Sequence, residues 1–121
     1  MRCLIVDDSD HFKEAARLLL EADGIAVVGV ASTTAEALLS LRELRPDLVL
    51  VDIDLGEENG FDLVLRLYEE AGGCPPRIIL ISTYDEQDFA EMIETSPALA
   101  FLSKPSLSGR AIAEILRGAD A

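Results

Sequence analysis

The side chains in this sequence best suited to chemistry are the pairs Asp7 and Asp8, Asp52 and Asp54, Ser82 and Thr83, and the lone Lys104 before Pro105. Each sits at the end of, or just beyond, a short apolar run. If those runs are parallel strands of one sheet, three carboxylates and one ammonium converge on a single edge. Like charges ~5 Å apart repel by roughly 3 kcal/mol at an effective dielectric near 20, so ionised Asp7, Asp8 and Asp52 need compensation. A divalent cation supplies it. Carboxylate oxygens, a backbone carbonyl and waters form the donor set of octahedral Mg²⁺, which commonly takes one or two protein carboxylates plus phosphate oxygens.

The elements that must position these groups are legible in the hydropathy pattern. Five runs rich in Val, Ile and Leu punctuate the chain: Cys3 to Val6, Ile25 to Ala31, Leu48 to Val51, Ile78 to Ile81, and Ala98 to Leu102. Continuous rather than alternating apolar residues predict strands buried on both faces. Helical spacing fills the gaps. Phe12, Ala15, Ala16 and Leu19 predict a core face for a first helix that ends near Asp23-Gly24. Thr33 and Glu36 form a capping-box pattern, with Ala37, Leu38, Leu41 and Leu44 on one side before Pro46. Phe61, Val64, Leu65 and Tyr68 predict the face of a third helix stopped by Gly72-Gly73. A short fourth helix carries Phe89, Met92 and Ile93 before Pro97, and a last one carries Ile112, Ile115 and Leu116 to the end of the chain. Five βα units with no linker between them predict one α/β domain over residues 1–121. In such open sheets functional groups gather at the carboxyl ends of the strands, where the acids and Lys104 fall.

Composition narrows the function. The 121 residues carry 10 Lys+Arg against 23 Asp+Glu, a net charge of −13, while half are hydrophobic. That apolar content supports a folded core rather than an acidic tail. The negative charge disfavours direct nucleic-acid binding and anionic membrane surfaces, and favours cations. Cys3 and Cys74 make no ligand or redox spacing, and no apolar run reaches the ~18 residues of a membrane span, so a soluble, cytoplasmic domain is expected.

Taken in order, these motifs resemble the receiver domain of two-component response regulators. LIVDD supplies the acidic pair Asp7-Asp8, LVLVDIDL the acceptor Asp52, IILISTYD the hydroxyl of Ser82, and FLSKP the Lys104-Pro105 pair. The resemblance spans essentially the whole chain. It implies a flavodoxin-like doubly wound (βα)5 fold, with a five-stranded parallel sheet in the order 2-1-3-4-5 and helices on both faces. It also implies a Mg²⁺-dependent phosphoacceptor, with Mn²⁺ as a substitute metal. Asp52 would be phosphorylated, and Asp7, Asp8, Asp52 and the backbone carbonyl of Asp54 would hold the metal. Lys104 would pair with the acceptor and then the phosphoryl group, the Ser82 hydroxyl would bond a phosphoryl oxygen, and Phe101 would be the aromatic switch. The implied partners are a sensor histidine kinase or phosphotransfer protein, and a downstream effector or a second copy, reached through the surface of helix 4, strand 5 and helix 5.

Two departures from the family pattern stand out. Leu55-Gly56 replaces the usual Met-Pro after the acceptor, which predicts a looser loop, and Thr83 stands where a smaller residue is usual. Alternative readings use the same residues. Asp52-x-Asp54 also resembles the nucleophile motif of haloacid-dehalogenase-type phosphatases, with Asp54 as acid/base, and a degenerate receiver would act only as a binding scaffold. Taken singly, Asp7-Asp8 would cap a helix, Phe101 would be core, His11 a surface histidine, Asp85 the cap of the fourth helix, and Glu57 and Glu58 solvated loop charges.

Overall fold

The computed structural model describes residues 1–73 and 75–120, so Cys74 lies outside the described residues. In chain order the elements are β1 (Arg2–Val6), α1 (Asp10–Ala22), β2 (Ala26–Ala31), α2 (Thr34–Leu44), β3 (Leu48–Asp52), β4 (Asp54–Leu55), β5 (Glu58–Asn59) and α3 (Gly60–Ala71). There follow β6 (Arg77–Ser82), a 3-10 turn (Glu86–Phe89), α4 (Ala90–Thr95), β7 (Ala100–Ser103), a second 3-10 turn (Lys104–Ser106) and α5 (Gly109–Asp120). The main sheet is parallel in the order β2-β1-β3-β6-β7. Once the β4–β5 hairpin is set aside, this is the order 2-1-3-4-5 expected above.

The three central strands are continuous apolar runs because both of their faces are covered. Leu4, Val6, Val49, Val51, Ile78 and Leu80 point into a core closed by α2 and α3, with Phe89, Ile93 and Phe101 packed against it. Their sequence neighbours Cys3, Ile5, Leu48, Leu50, Ile79 and Ile81 point the other way, under α1 and α5. The outer strands are thinner. Within β2 only Ala31 is buried, and every residue of β7 is half-buried, as edge positions allow. Burial pushes the Cys3 thiol up to about 12, which makes it an inert core residue.

Two helix faces differ from the periodicity by one position. In α1 the buried side chains are Lys13, Ala16 and Leu20, while Leu19 is exposed; in α3, Leu63 and Leu67 are buried while Leu65 and Tyr68 are exposed. Runs of adjacent apolar residues fit two overlapping faces, and packing against the sheet selects one. The capping of α2 follows the pattern with one change. Thr33 Oγ1 accepts from Glu36 N, but the Glu36 carboxylate reaches back to Ser32 N rather than Thr33 N.

Helix α2 is capped at its C-terminus by Arg45, a non-glycine residue at φ 46°, ψ 62°. Left-handed backbone is unfavourable for a residue with a Cβ, whereas glycine takes it freely. Arg45→Gly should therefore raise the unfolding free energy by about 0.5–1 kcal/mol, read as a higher denaturant midpoint with unchanged slope. A lower midpoint would mean that the arginine side chain outweighs the strain.

Candidate phosphoacceptor site

The site assembles where β1, β3 and β6 end and the loop after β7 begins. Asp7 and Asp52 are buried, Asp8 is exposed at the rim, and all three offer carboxylate oxygens within 4.8 Å of one another. Helix α1 is capped by Ser9, whose Oγ accepts from Phe12 N, rather than by the acidic pair. Asp7 instead uses Oδ1 to accept from Ser9 N at 2.8 Å, which leaves Oδ2 facing the cleft. On Asp52, Oδ1 accepts from Asp54 N at 3.0 Å and Oδ2 faces Lys104.

Lys104 Nζ lies 2.6 Å from Asp7 Oδ2 and 3.0 Å from Asp52 Oδ2, bridging the two buried acids. Its nitrogen also sits 4.2 Å from the centroid of the Phe12 ring. Despite the close ammonium, Asp7 Oδ2 receives no hydrogen bond of ordinary geometry and is fully buried. Burial pushes the Asp52 carboxyl up to about 6; Lys104 and the Asp54 amide pull it back only in part, and the Asp7 charge adds to the rise. For Lys104, burial acts downward, but bonds and charges from Asp7 and Asp52 outweigh it and hold the ammonium above its ordinary value. Two buried carboxylates sharing one ammonium, and a third acid at the rim, form a donor set that fits a hard divalent cation.

The loop after Asp52 is tighter than the sequence suggested. Leu55 and Glu58 pair across a two-residue turn, with Gly56 at φ +75° and Glu57 on the ordinary side, as in a type II′ hairpin. A Cβ on Gly56 would lie 3.4 Å from Asp8 Oδ2, so the hairpin closes directly over the rim acid. Gly60 then donates to Ile53 O at 2.8 Å, and a Cβ there would stand 2.1 Å from Asp52 O, a distance no side chain permits. Glu58 is not a free loop charge, because its Oε1 accepts from Thr34 N at 2.7 Å and ties the hairpin to the start of α2.

Other expected residues fall less centrally. The Asp54 carboxylate is exposed and accepts from Gly56 N, outside the three-acid cluster. Ser82 is buried with Oγ accepting from Tyr84 N at 3.0 Å, which leaves its hydroxyl proton available; Thr83 is exposed. Phe101 is half-buried and packed on the α2/α3 core. His11 is exposed, and Asp85 precedes the 3-10 turn without a side-chain capping bond. Two features had no clear signal in the sequence. One is the Phe12 ring beneath Lys104. The other is buried Lys13, which holds Asp10 at 3.0 Å and also bonds Ser32 Oγ.

A profile described as the response regulator receiver domain matches residues 3–116. The chain belongs to the response regulator receiver family. Among curated relatives, this receiver is 38% identical over 116 residues to a protein-glutamate methylesterase/protein-glutamine glutaminase of Syntrophus aciditrophicus, covering 91% of the chain and 32% of that protein. It is 28% identical to the response regulator GacA of Pseudomonas viridiflava, covering 97% of the chain and 52% of the relative. The receiver thus spans about a third to a half of these relatives' lengths. Among solved structures, the receiver domain of NarL from Mycobacterium tuberculosis superposes with a TM-score of 0.83 at 27% identity, covering 97% of this chain and 96% of that one. The response regulator domain of Thermotoga maritima CheB gives 0.79 at 25% identity, covering 100% and 97%. Two-component signalling is therefore the function class, and the parallel sheet with its hairpin is this receiver's version of the shared fold.

The raised Asp52 carboxyl makes stability depend on pH. The folded state holds that proton more tightly than the unfolded chain, so stability is present below about pH 4 and is lost as pH rises through about 6. In metal-free buffer, Asp52→Asn should exceed the parent by on the order of 1 kcal/mol at pH 7.5, with the gain vanishing near pH 4. Urea melts at the two pH values measure it, and a pH-independent difference would contradict the assignment.

Proposed function

We propose that residues 1–121 act as one cytoplasmic receiver unit, taking a phosphoryl group onto Asp52 from the phosphohistidine of a sensor kinase or phosphotransfer protein. The observation that carries this reading is the Lys104 ammonium bridging Asp7 and Asp52 at 2.6 and 3.0 Å inside a three-acid cluster. An oxygen of the Asp52 carboxylate forms a bond to phosphorus as the donor's P–N bond breaks. The bonding pair leaves with the imidazole nitrogen, which takes a proton from solvent, and Asp52 becomes an acyl phosphate. Asp7 and Asp8, with Asp52 and the Asp54 carbonyl, would hold Mg²⁺, or Mn²⁺ in its place. The ion's charge would neutralise the equatorial phosphoryl oxygens.

The remaining roles follow from position. Lys104 is a point charge whose contact passes from the acceptor oxygen to a phosphoryl oxygen, and it stays protonated at neutral pH because two acids face it. The Ser82 hydroxyl, free to donate, bonds a second phosphoryl oxygen. Because Ser82 Oγ already holds Tyr84 N, that movement draws the loop after β6 inward. Phe101, on the strand paired with β6, repacks in response, changing the surface of α4, β7 and α5 that an effector or a second copy reads. The outputs of the relatives differ, an esterase in one case and a regulator in another, so the receiver is the shared part of this assignment.

Incubation with Mg²⁺ and a small phosphodonor such as acetyl phosphate should add the mass of one phosphoryl group, labile in alkali and absent in Asp52→Ala. A stable adduct, or one that survives that substitution, would sink the proposal, as would sustained phosphomonoester turnover requiring Asp54. A companion titration addresses the metal. Asp8→Ala should weaken Mg²⁺ binding by on the order of tenfold or more, whereas Glu57→Ala should leave it within about twofold, and equal effects would mean the site is misplaced.

A further inference from the structure

Lys104 is held from more than its two acids. Its nitrogen lies over the face of Phe12, 4.2 Å from the ring centroid, well inside the distance at which a ring quadrupole attracts a cation. The lysine side chain is only 13% exposed, so little water competes for that contact. We propose that Phe12 is a positioning residue for phosphoryl transfer, its ring face holding the Lys104 ammonium at the acceptor oxygen without adding charge. The inference rests on the phosphoacceptor reading and assigns a role to a residue otherwise read as core.

The geometry favours this arrangement for a chemical reason. The cleft already gathers Asp7, Asp8 and Asp52, and a further carboxylate beneath the ammonium would attract metal and repel the incoming phosphoryl group. Water beneath it would let the long, flexible side chain move out towards solvent. An aromatic face does neither. It attracts the cation, excludes water, and cannot accept the phosphoryl group or ligate a hard metal. The ring is itself fixed in place, because Phe12 N donates to the capping Ser9 Oγ at 3.2 Å and the side chain packs against the α1/α5 core. The nearby Lys13 cannot substitute for Lys104, since it is buried and committed to Asp10 and Ser32.

Replacing Phe12 with phenylalanines carrying one, two and three ring fluorines tests this, because fluorine weakens the quadrupole with little change in shape. With saturating Mg²⁺, the maximal rate of Asp52 labelling by acetyl phosphate should fall stepwise, by about tenfold at trifluorophenylalanine. The half-saturating donor concentration and the thermal midpoint should stay near parental values. Phe12→Leu should be at least as slow as the trifluoro protein, and Phe12→Tyr should stay close to the parent. A flat fluorine series, or a Leu variant at the parental rate, overturns the role of Phe12 while parental labelling leaves the phosphoacceptor reading standing. A parent that takes no phosphoryl group on Asp52 overturns both.

Discussion

One ammonium between two buried carboxylates sets the terms for the rest of this receiver. Asp7 and Asp52 close neighbouring strands, so a parallel sheet with β1 beside β3 forces their charges together. Lys104 arrives from beyond β7 to bridge them, and the bridge is incomplete: one Asp7 oxygen lacks an ordinary hydrogen bond and the Asp52 carboxyl remains raised. A buried ion cluster is a poor source of stability, because desolvation offsets much of the attraction. Its retention makes sense as stored demand for positive charge. A hard divalent cation would answer part of that demand, and the doubly faced sheet holds the three acids close enough together to offer it oxygens.

The surrounding loops are tied to one another along this edge. The hairpin after Asp52, the cap on α2 and the first turn of α1 are joined by two bonds, one that the Glu58 carboxylate accepts from Thr34 N and one that Lys13 donates to Ser32. Three βα connections therefore share one hydrogen-bonded rim. On the face shared by α1 and α5, the carboxylate of Asp23, which closes α1, accepts at 2.8 Å from Gly109, which opens α5, so these two helices are joined where one stops and the other starts. The segment after β6 is held more lightly, since its helix is short, follows a 3-10 turn and buries no side chain fully.

How much of this was legible in the sequence depended on the range of the interaction. The strands read clearly because a central parallel strand needs apolar residues on both faces, and the acids stood out because they interrupt or follow such runs. In α1 the expected face was off by one where Leu18, Leu19 and Leu20 run together, since only contact with the sheet decides which of them is buried, whereas α2 read correctly with Leu38 in and Leu39 out. The hairpin escaped because two-residue strands have no periodicity, and the Gly56 that suggests looseness in isolation is the residue a tight turn demands. Glu58 looked like a solvated charge because its partner is 24 residues away. Phe12 is apolar and helical by any local rule, and nothing local indicates that a lysine from the far end of the chain rests on it.

Gly60 shows how far the chemistry reaches into residues that carry none. It has no reactive group, and its importance lies in having no side chain where the carbonyl of Asp52 passes. In an exhaustive substitution map it should be as intolerant as Asp52, and its neighbours on either side less so. Such a map, read for function alone, would nominate a glycine as part of the active site. The nomination would be sound in an unfamiliar sense: the space left by an absent methyl group fixes where the backbone of Asp52 can lie.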